Sequence, residues 1–573
     1  MFDVVVDKEN HQVECLQRDK VPNKLLLEFL EDRCERFGDK TVLVDAADGH
    51  EVGYTELINM AKAIAGKLQT AGFQAGDIVA FRPNNSIRSM AALLALLFMQ
   101  CSVILIAILA KRKDLAKMLG DIPVVGSVAM GSLSEDFVSI AKTHDTMKIV
   151  INLKDESLWS GKAEAFVAPP PSDPKTTRSI MVFAPKRKDR QRLIEFSHHN
   201  VIAAMWPSHM ASFRLNLCGI TTGTLSFISG ILTFLWYLQS CEKCVVLPER
   251  KENRSIEAIV DMLQKYKVGN VVLVPDACVE LANNAKSLRE KLATVRQIAT
   301  ACSLLPGRVL KKLFSGLPQL EFIYNAFATS EALLIAVSRI ARNDPTDDVN
   351  FLTIGPNFRA RIVDPETKEP LEPGQAGELL VKSPTVFMGY YRQEEATNAC
   401  FINGWLRTRY CAIMDDRGLI RITAALEKPN KGTPQSFSPA DVEESLKHCL
   451  QTSPDPAFRE VSDVAVVGMS EGSAHDEAPT AYVVPPQNLH NDAKRLEELA
   501  ELMMDHMDRY YAGLRILRGG VVFIDTMPTT DGSRPSRREL REQQLAGTVR
   551  PIAAFPKPDP KNENTSPHDS DRD

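Results

Sequence analysis

Apolar residues in the first 340 positions alternate between helical spacing and short β-branched runs. Residues 23–37 and 54–70 carry apolar side chains every three or four positions, and helices are also expected from Ser86 onward. The runs that predict buried strands are residues 41–44, 78–80, 103–108, 148–151, 180–183, 244–247 and 268–274. This alternation predicts layered α/β sheets with parallel strands.

The pattern changes after residue 422. The elements predicted there are helices over 441–450 and 495–510 and strands over 464–467 and 521–524. We therefore expect an α/β protein with a large N-terminal domain of layered α/β sheets, residues 1–422, and a smaller C-terminal α+β domain, residues 423–549. Residues 550–573 are rich in proline and charge and are expected to be disordered.

Two long apolar runs have alternative interpretations. Residues 90–110 contain only Gln100 and Ser102 as polar positions, which is the length and polarity of a membrane helix. The alternative is a buried helix that breaks at Gln100 and continues as a buried strand, because β-branched residues follow the break. Residues 219–238 contain Thr, Ser and Gly and predict a core helix between sheets.

Charge and cysteine usage narrow the class of protein. The 68 basic and 73 acidic side chains give a net charge of −5, which implies no general attraction to nucleic acid. The eleven cysteines lie mostly in apolar runs and predict reduced core thiols. Asp3 and Asp7 stand where a signal peptide needs positive charge, and the chain does not end in a peroxisomal tripeptide. We expect a cytoplasmic location.

Residues 377–422 carry the most specific pattern in the sequence. GEL begins at Gly377, GYY at Gly389, GWLRT at Gly404 and DDRG at Asp415. In this order and spacing the stretch resembles the end of the large domain in AMP-forming acyl-CoA synthetases, a superfamily that includes 4-coumarate-CoA ligases and firefly luciferase. The resemblance extends over residues 23–543. It implies the adenylate-forming fold, with ATP and Mg²⁺ used to join a carboxylic acid to CoA.

The resemblance also locates the nucleotide-binding positions, most of which are altered. Ala184, Lys186 and Arg192 lie in the stretch APKRKDRQRL, where the family has a Gly, Ser and Thr loop around the phosphates. Bulky side chains restrict the backbone conformations with which such a loop closes around an anion, so a solvated basic loop is the alternative. Tyr410 stands where the family has the Asp that holds the AMP ribose, and it follows Arg409 in place of Gly.

The adenine and magnesium segment is better retained. Phe327 and Ser330 match nucleotide-binding positions, and Glu331 keeps the carboxylate that the family uses for catalysis and for Mg²⁺. The small-residue segment of the family, which forms the floor of the substrate pocket, matches Ala301 and Cys302.

Three further positions follow from the resemblance. Asn216 falls at the His position of the acyl-pocket wall, Ala424 at the hinge Asp, and Arg534 at the catalytic Lys of the small domain. Arginine keeps the charge of lysine but not its compact ammonium group.

These replacements together predict an acyl-CoA synthetase-like pseudoenzyme. Loss of one preorganised transition-state donor typically costs about 3 kcal/mol, and several are replaced here. We expect a catalytically inactive or severely weakened protein, connected with fatty acid metabolism, that binds an acyl-like ligand or a protein partner. The alternative is an active ATP-dependent acyl-CoA ligase in which Arg192, Glu331 and Arg534 substitute for the usual groups. A third possibility is a membrane-associated scaffold that uses residues 90–110.

Overall fold

The computed structural model describes residues 3–7, 10–17, 20–108, 110, 112–160, 162–184, 192–205, 217–248, 255–301, 305, 307–344, 351–425, 439–451, 453–470, 477–510, 517, 519–530, 534–536, 539–540, 542–543, 546, 548–549 and 551–555. The chain divides into two units. The first comprises Met1–Thr408 and Ala412–Ile422, and the second comprises Arg409–Cys411 and Thr423–Asp573.

The helices of the first unit are numbered in chain order. They are α1 (Leu26–Phe37), α2 (Tyr54–Thr70), α3 (Ile87–Phe98), α4 (Arg112–Leu119), α5 (Leu133–Ala141), α6 (His198–Met205), α7 (Ile228–Ser240), α8 (Ile256–Lys265), α9 (Pro275–Asn284), α10 (Gly307–Gly316) and α11 (Glu394–Asn398). Local signals fix where several of them begin. The Ser86 hydroxyl accepts a hydrogen bond from the Ser89 amide at 3.2 Å and caps α3, and Ser255 caps α8 in the same way.

The strands up to residue 425 are numbered in the same way. They are β1 (Val4–Asp7), β2 (Gln12–Cys15), β3 (Thr41–Asp45), β4 (Glu51–Gly53), β5 (Ile78–Arg82), β6 (Ser102–Leu105), β7 (Val124–Ala129), β8 (Ile149–Asn152), β9 (Arg178–Phe183), β10 (Leu193–Ser197), β11 (Gly219–Thr221), β12 (Cys244–Val246), β13 (Asn270–Leu273), β14 (Gln297–Ala301), β15 (Phe322–Thr329), β16 (Leu333–Ala341), β17 (Thr353–Ile354), β18 (Arg359–Val363), β19 (Ala376–Lys382), β20 (Gly389–Tyr390), β21 (Phe401–Ile402), β22 (Trp405–Met414) and β23 (Ile420–Ala425).

These strands form three sheets in the described part of the chain. One has the order β20-β10-β9-β6-β5-β7-β8 and another β17-β16-β15-β14-β13-β11-β12-β3-β4. Their central strands are parallel, as the alternation of strands and helices predicts. The third has the order β1-β2-β18-β19-β22-β21, with β23 beside β22. A core cluster around β13, β14 and β15 packs these strands against α8, α9 and α10.

The apolar run at residues 90–110 is a buried helix followed by a buried strand. Residues Met90 to Phe98 of α3 are all buried, and the chain then turns at Gln100, whose φ is 59°. The strand β6 follows at once and pairs in parallel with β5. None of the helices in the described ranges combines the length and apolarity that crossing a bilayer requires. The helix-strand interpretation is therefore confirmed.

The prediction of one core helix over residues 219–238 is wrong at its start. Gly219–Thr221 forms β11, in a parallel ladder between β12 and β13. Helix α7 begins only at Ile228. A Cβ on Gly219 would lie 2.3 Å from the Tyr237 ring, so the glycine lets this buried ring pack against the strand. The whole run is apolar because the strand and the helix are both buried, so its hydrophobicity did not reveal the boundary between them.

The second unit is an α+β arrangement. Its elements are α12 (Pro439–Gln451), α13 (Pro456–Arg459), β24 (Asp463–Ser470), β25 (Glu477–Val484), α14 (Ala493–Tyr510), β26 (Val521–Ile524), β27 (Thr529–Thr530), β28 (Arg534–Pro535) and β29 (Pro551–Phe555). The sheet order is β24-β25-β26-β29, and β27 pairs with β28.

The predicted disorder from residue 550 is wrong for its first residues. Pro551–Phe555 forms β29, antiparallel to β26. Ile552, Ala553 and Phe555 pack against the core of the unit, and the Phe555 and Phe523 ring centroids lie 6.0 Å apart. Packing of these three apolar side chains and pairing with the edge of β26 therefore order the strand, although the proline-rich composition predicted disorder. Residues 556–573 lie outside the described ranges.

Candidate functional site

The segment at the phosphate-loop position joins β9 to β10. The Ala184 amide donates a hydrogen bond to the Arg192 carbonyl at 2.8 Å, so the two ends of the segment are paired. Both are partly buried. Lys186 lies outside the described residues. The predicted positions Ala184 and Arg192 are thus adjacent at the base of the β9–β10 hairpin.

Arg192 contacts an aromatic ring. Its guanidinium carbon lies 5.0 Å from the centroid of the Tyr390 ring, a cation–π distance. The pairing of β20 with β10 explains this contact, because Ile194 is opposite Tyr390 in the antiparallel ladder. Arg192 is therefore engaged with a neighbouring strand.

Tyr390 also connects this hairpin to Glu331. The Tyr390 hydroxyl donates a hydrogen bond of 2.7 Å to Glu331 Oε1, and the Cys400 thiol donates to the hydroxyl oxygen at 3.6 Å. Burial and the neighbouring Glu331 carboxylate raise the pKa of Tyr390. The phenol is therefore neutral at ordinary pH and acts as the donor to Glu331.

The backbone around Glu331 is held by the segment that precedes β20. Glu331 lies in the turn between β15 and β16, and its carbonyl accepts a hydrogen bond from the Phe387 amide at 2.8 Å. The Thr385 hydroxyl donates to the Ala332 carbonyl at 2.8 Å. Ser330 precedes Glu331 in this turn and is partly exposed. The backbone that carries the carboxylate is therefore held by two hydrogen bonds from one segment, residues 385–387.

Of the three predicted pocket residues, the structure describes Ala301. Ala301 is the last residue of β14 and is paired with Ala326 of β15, next to Phe327. Phe327 is 9% exposed. Cys302 and Asn216 lie outside the described residues. Ala301 therefore lies close in the sheet to Phe327, a predicted nucleotide-binding position.

Strand β22 carries Tyr410, the residue predicted at the ribose position. Arg409 has a φ of 62°, in the left-handed region that favours glycine, although the residues on both sides are in an extended strand. Earlier in the strand, Arg407 makes a bidentate pair with Glu378, in which Nε lies 3.0 Å from Oε1 and Nη2 lies 2.7 Å from Oε2. The Glu378 side chain is 1% exposed. This buried pair fixes the register of β22 against β19.

Ala424 and Arg534 are placed by their backbones. Ala424 belongs to β23, and Arg534 belongs to β28, where it is paired with Thr530. Their side chains lie outside the described part. Ala424, at the predicted hinge position, therefore lies in a strand. Arg534, at the predicted lysine position, lies in a two-stranded hairpin.

Comparison with known proteins decides the family. The sequence model described as "AMP-binding enzyme" matches residues 30–183 and 191–391 of the chain. The chain belongs to the AMP-binding enzyme family. The match is interrupted over residues 184–190, where the family's phosphate loop is expected.

Relatives of this AMP-binding family member cover nearly its whole length. It is 23% identical to 4-coumarate–CoA ligase-like 2 of Arabidopsis thaliana over 87% of this chain and 88% of the relative. Its structure is similar to ATP-bound MatB from Rhodopseudomonas palustris, with a TM-score of 0.70, 19% identity and coverage of 92% of this chain and 100% of MatB. Amide bond synthetase McbA from Marinactinospora thermotolerans gives a TM-score of 0.68, with 20% identity and coverage of 90% and 99%. The α/β adenylate-forming fold is confirmed.

Tyr390 and Cys400 are the residues that the sequence left unassigned. The GYY motif containing Tyr390 predicts a turn. The Tyr390 hydroxyl, however, donates a hydrogen bond to Glu331, which lies 59 residues earlier in the chain. No spacing rule predicts such a contact. Within the described ranges, no group of three or more His, Cys, Asp and Glu side chains has the geometry of a metal site.

Proposed function

We propose that this AMP-binding family member has lost most of its capacity for adenylation and uses the inherited fold to bind an acyl-like small molecule or a protein partner. The observation that carries the proposal is the backbone of Arg409. Its φ of 62° is the conformation that a glycine adopts most easily, and the family pattern has Gly at this position. The conformation supports the alignment that puts Tyr410 where the family has its ribose-binding Asp.

The exchange of Asp for Tyr changes the chemistry of that position. A carboxylate accepts hydrogen bonds from both ribose hydroxyls, whereas a phenol offers one oxygen on a much larger ring. A hydrogen bond to a charged group contributes about 1.5–3 kcal/mol, so its loss weakens nucleotide binding about 10- to 150-fold. The residues present therefore do not fit the ribose of ATP as the family pattern requires.

The phosphate position supports the same proposal. The interruption of the family match covers residues 184–190, and the stretch there has proline and charged side chains but no Gly, Ser or Thr. A cradle of backbone N–H groups requires small residues that turn tightly around the anion. Pro185 cannot donate an N–H.

One observation favours the alternative of an active ligase. Glu331 keeps the carboxylate, and oxygen ligands of this kind suit Mg²⁺. Its Oε1 already accepts the Tyr390 hydrogen bond, which orients the carboxylate. If the ligase alternative holds, Glu331 would contribute to the Mg²⁺ of MgATP, and Arg192 and Arg534 would replace the missing cations.

Pyrophosphate release separates the two functions. The purified chain is incubated with MgATP and a panel of fatty and aryl carboxylic acids, with and without CoA. We expect no release above background. Release with any acid that Glu331→Ala abolishes would contradict the loss of adenylation, and acyl-CoA formed when CoA is present would establish the ligase alternative.

A gain-of-function pair tests the ribose position directly. Tyr410→Asp restores the family carboxylate and is expected to raise AMP affinity about tenfold or more. Asparagine has nearly the size of aspartate but no charge, so we expect Tyr410→Asn to raise AMP affinity by a smaller factor. Equal affinity of both variants and the parent chain would contradict the role assigned to this position.

The ligand half of the proposal is tested without nucleotide. Thermal shifts with fatty acids, and with their primary amides as uncharged controls, measure binding to the purified chain. Ala301, the last residue of β14, is the described pocket residue that we expect a bound acyl group to approach. We also propose that the protein is cytoplasmic, which imaging of a tagged chain tests.

A further inference from the structure

Polar positions lie side by side at the amino-terminal ends of β11, β13 and β14. Gly219, Asn270 and Gln297 are the first residues of these parallel strands, and each is the direct partner of the next in the two ladders. The second residue of each strand belongs to the core that packs against α8, α9 and α10: Ile220, Val271 and Ile298. Because successive side chains of a strand point to opposite faces, the first residues face the other side of the sheet.

Tyr237 of α7 covers that side of the sheet. A Cβ on Gly219 would lie 2.3 Å from the Tyr237 hydroxyl oxygen, so the hydroxyl takes the place of the side chain that glycine lacks. It therefore lies next to Asn270, which is followed by Gln297. We call Tyr237, Asn270 and Gln297 the polar row. The three residues are 0%, 0% and 2% exposed.

The functional groups of the polar row are buried without a partner. Among the residues that the structure describes, none is within hydrogen-bond distance of the Tyr237 hydroxyl, of either amide atom of Asn270, or of the Gln297 amide oxygen. Buried polar atoms in folded proteins are nearly always paired, either with protein or with ordered water, because leaving them unpaired is costly. Four such atoms at neighbouring positions therefore point to one common partner.

The chemistry of the row favours a neutral partner that both donates and accepts. The amide oxygens of Asn270 and Gln297 need a donor, whereas the Asn270 amide nitrogen and the Tyr237 hydroxyl can donate. An anion would face the two oxygens, and a cation would face the amide N–H groups. The nearby acidic groups add little charge, because burial raises the pKa of Glu242 to about 8 and that of Cys218 to about 11.

We infer that the polar row is an internal hydration site, in which ordered water bridges Tyr237, Asn270 and Gln297. Neighbouring strands lie about 4.8 Å apart, a distance that one water spans with two hydrogen bonds of about 2.8 Å. One water can donate to both amide oxygens and accept from the hydroxyl, and three hydrogen bonds are typical of a buried water. Ala301 lies at the opposite end of β14, so this inference is independent of the proposed function.

Urea unfolding of the full chain separates a bridged hydroxyl from an unpaired one. Tyr237→Phe removes only the hydroxyl. If water bridges that hydroxyl, a hydrogen bond is lost, and we expect the equilibrium constant for unfolding to rise about two- to tenfold. Tyr54→Phe is the matched control, because Tyr54 is also 0% exposed and its hydroxyl donates directly to the Leu30 carbonyl at 3.2 Å. We expect a rise of similar size in this control.

Removal of an unpaired buried hydroxyl would have the opposite effect, because the folded chain would no longer bury a polar group without compensation. An unfolding constant for Tyr237→Phe that is unchanged, or smaller than that of the parent chain, would therefore overturn the proposal.

A crystal structure of the full chain at a resolution that shows ordered water tests the site without any substitution. We expect a water within hydrogen-bond distance of the Tyr237 hydroxyl and of an amide oxygen of Asn270 or Gln297. Asn270→Leu has a similar size but no amide, and we expect that water to be absent or displaced in its structure. Direct hydrogen bonds among the three side chains, an ion at this position, or a row without water in the parent chain would each overturn the proposal.

Discussion

The left-handed backbone at Arg409 makes a quantitative prediction about stability. A side chain bearing Cβ at a positive φ costs about 1–2 kcal/mol relative to the ordinary regions. Glycine removes this strain but costs about 0.5–1 kcal/mol in backbone entropy. With φ at 62° and both neighbours in β22, we expect Arg409→Gly to be about 1 kcal/mol more stable than Arg409→Ala. The two variants remove the same guanidinium, so their difference isolates the backbone.

Urea unfolding measures that difference. Trp405 lies in the same strand as Arg409 and reports on it when Trp159, Trp206 and Trp236 are replaced by Phe. We expect the Arg409→Gly midpoint to exceed that of Arg409→Ala at an unchanged slope. An Arg409→Ala chain of equal or higher stability would refute the left-handed conformation, and with it the structural support for placing Tyr410 at the ribose position.

Two further predictions concern buried groups. Glu378→Gln breaks the buried pair with Arg407 and is expected to destabilise the chain by about 3 kcal/mol in urea unfolding. Lys368 is the comparison, because its ammonium lies 4.0 Å from Glu378 and is partly exposed. We expect Lys368→Met to destabilise the chain by about 0.5 kcal/mol or less. Burial lowers the pKa of His198 to about 4, and its Nδ1 accepts the Leu26 amide at 3.2 Å. In the unfolded chain this histidine binds a proton near pH 6.5, whereas in the folded chain it stays neutral down to about pH 4. The free energy of unfolding is therefore highest above about pH 6.5 and falls on the order of 3 kcal/mol towards pH 4. His198→Asn keeps an acceptor without this titration, and its stability measured between pH 7 and 4 should fall less steeply; parallel pH profiles would contradict the assignment.

Periodicity predicted much of the first unit because its elements are long or strongly apolar. Helix α2 occupies residues 54–70 as expected, and Gln100 marks the break between α3 and β6. The same signal failed over residues 219–238, where a buried strand and a buried helix are equally apolar. It failed again at Pro551–Phe555, whose order comes from pairing with a distant strand and not from its composition.

The sequence predicts the candidate site only where one residue within a local motif supplies the functional group. Glu331 is recognisable from its local motif, and the ten cysteines that the structure describes form no disulfide with one another, as their apolar surroundings indicate. The hydrogen bond from Tyr390 to Glu331 joins residues 59 positions apart, and the cation–π contact of Arg192 depends on the β10–β20 register. Such contacts are set by the packing of strands, which local patterns do not encode. Lys186, Asn216 and Cys302 remain sequence predictions.

Calorimetric titration of the purified chain with MgATP tests the central claim most directly. In the proposed alignment Tyr410 stands at the ribose-carboxylate position, and the stretch at the phosphate-loop position has no Gly, Ser or Thr. We therefore predict no heat of binding up to roughly 1 mM, the upper end of usual substrate affinities. Glu331→Ala is the control and should give the same result. A dissociation constant well below 1 mM for the parent chain, weakened in Glu331→Ala, would contradict the loss of the nucleotide site.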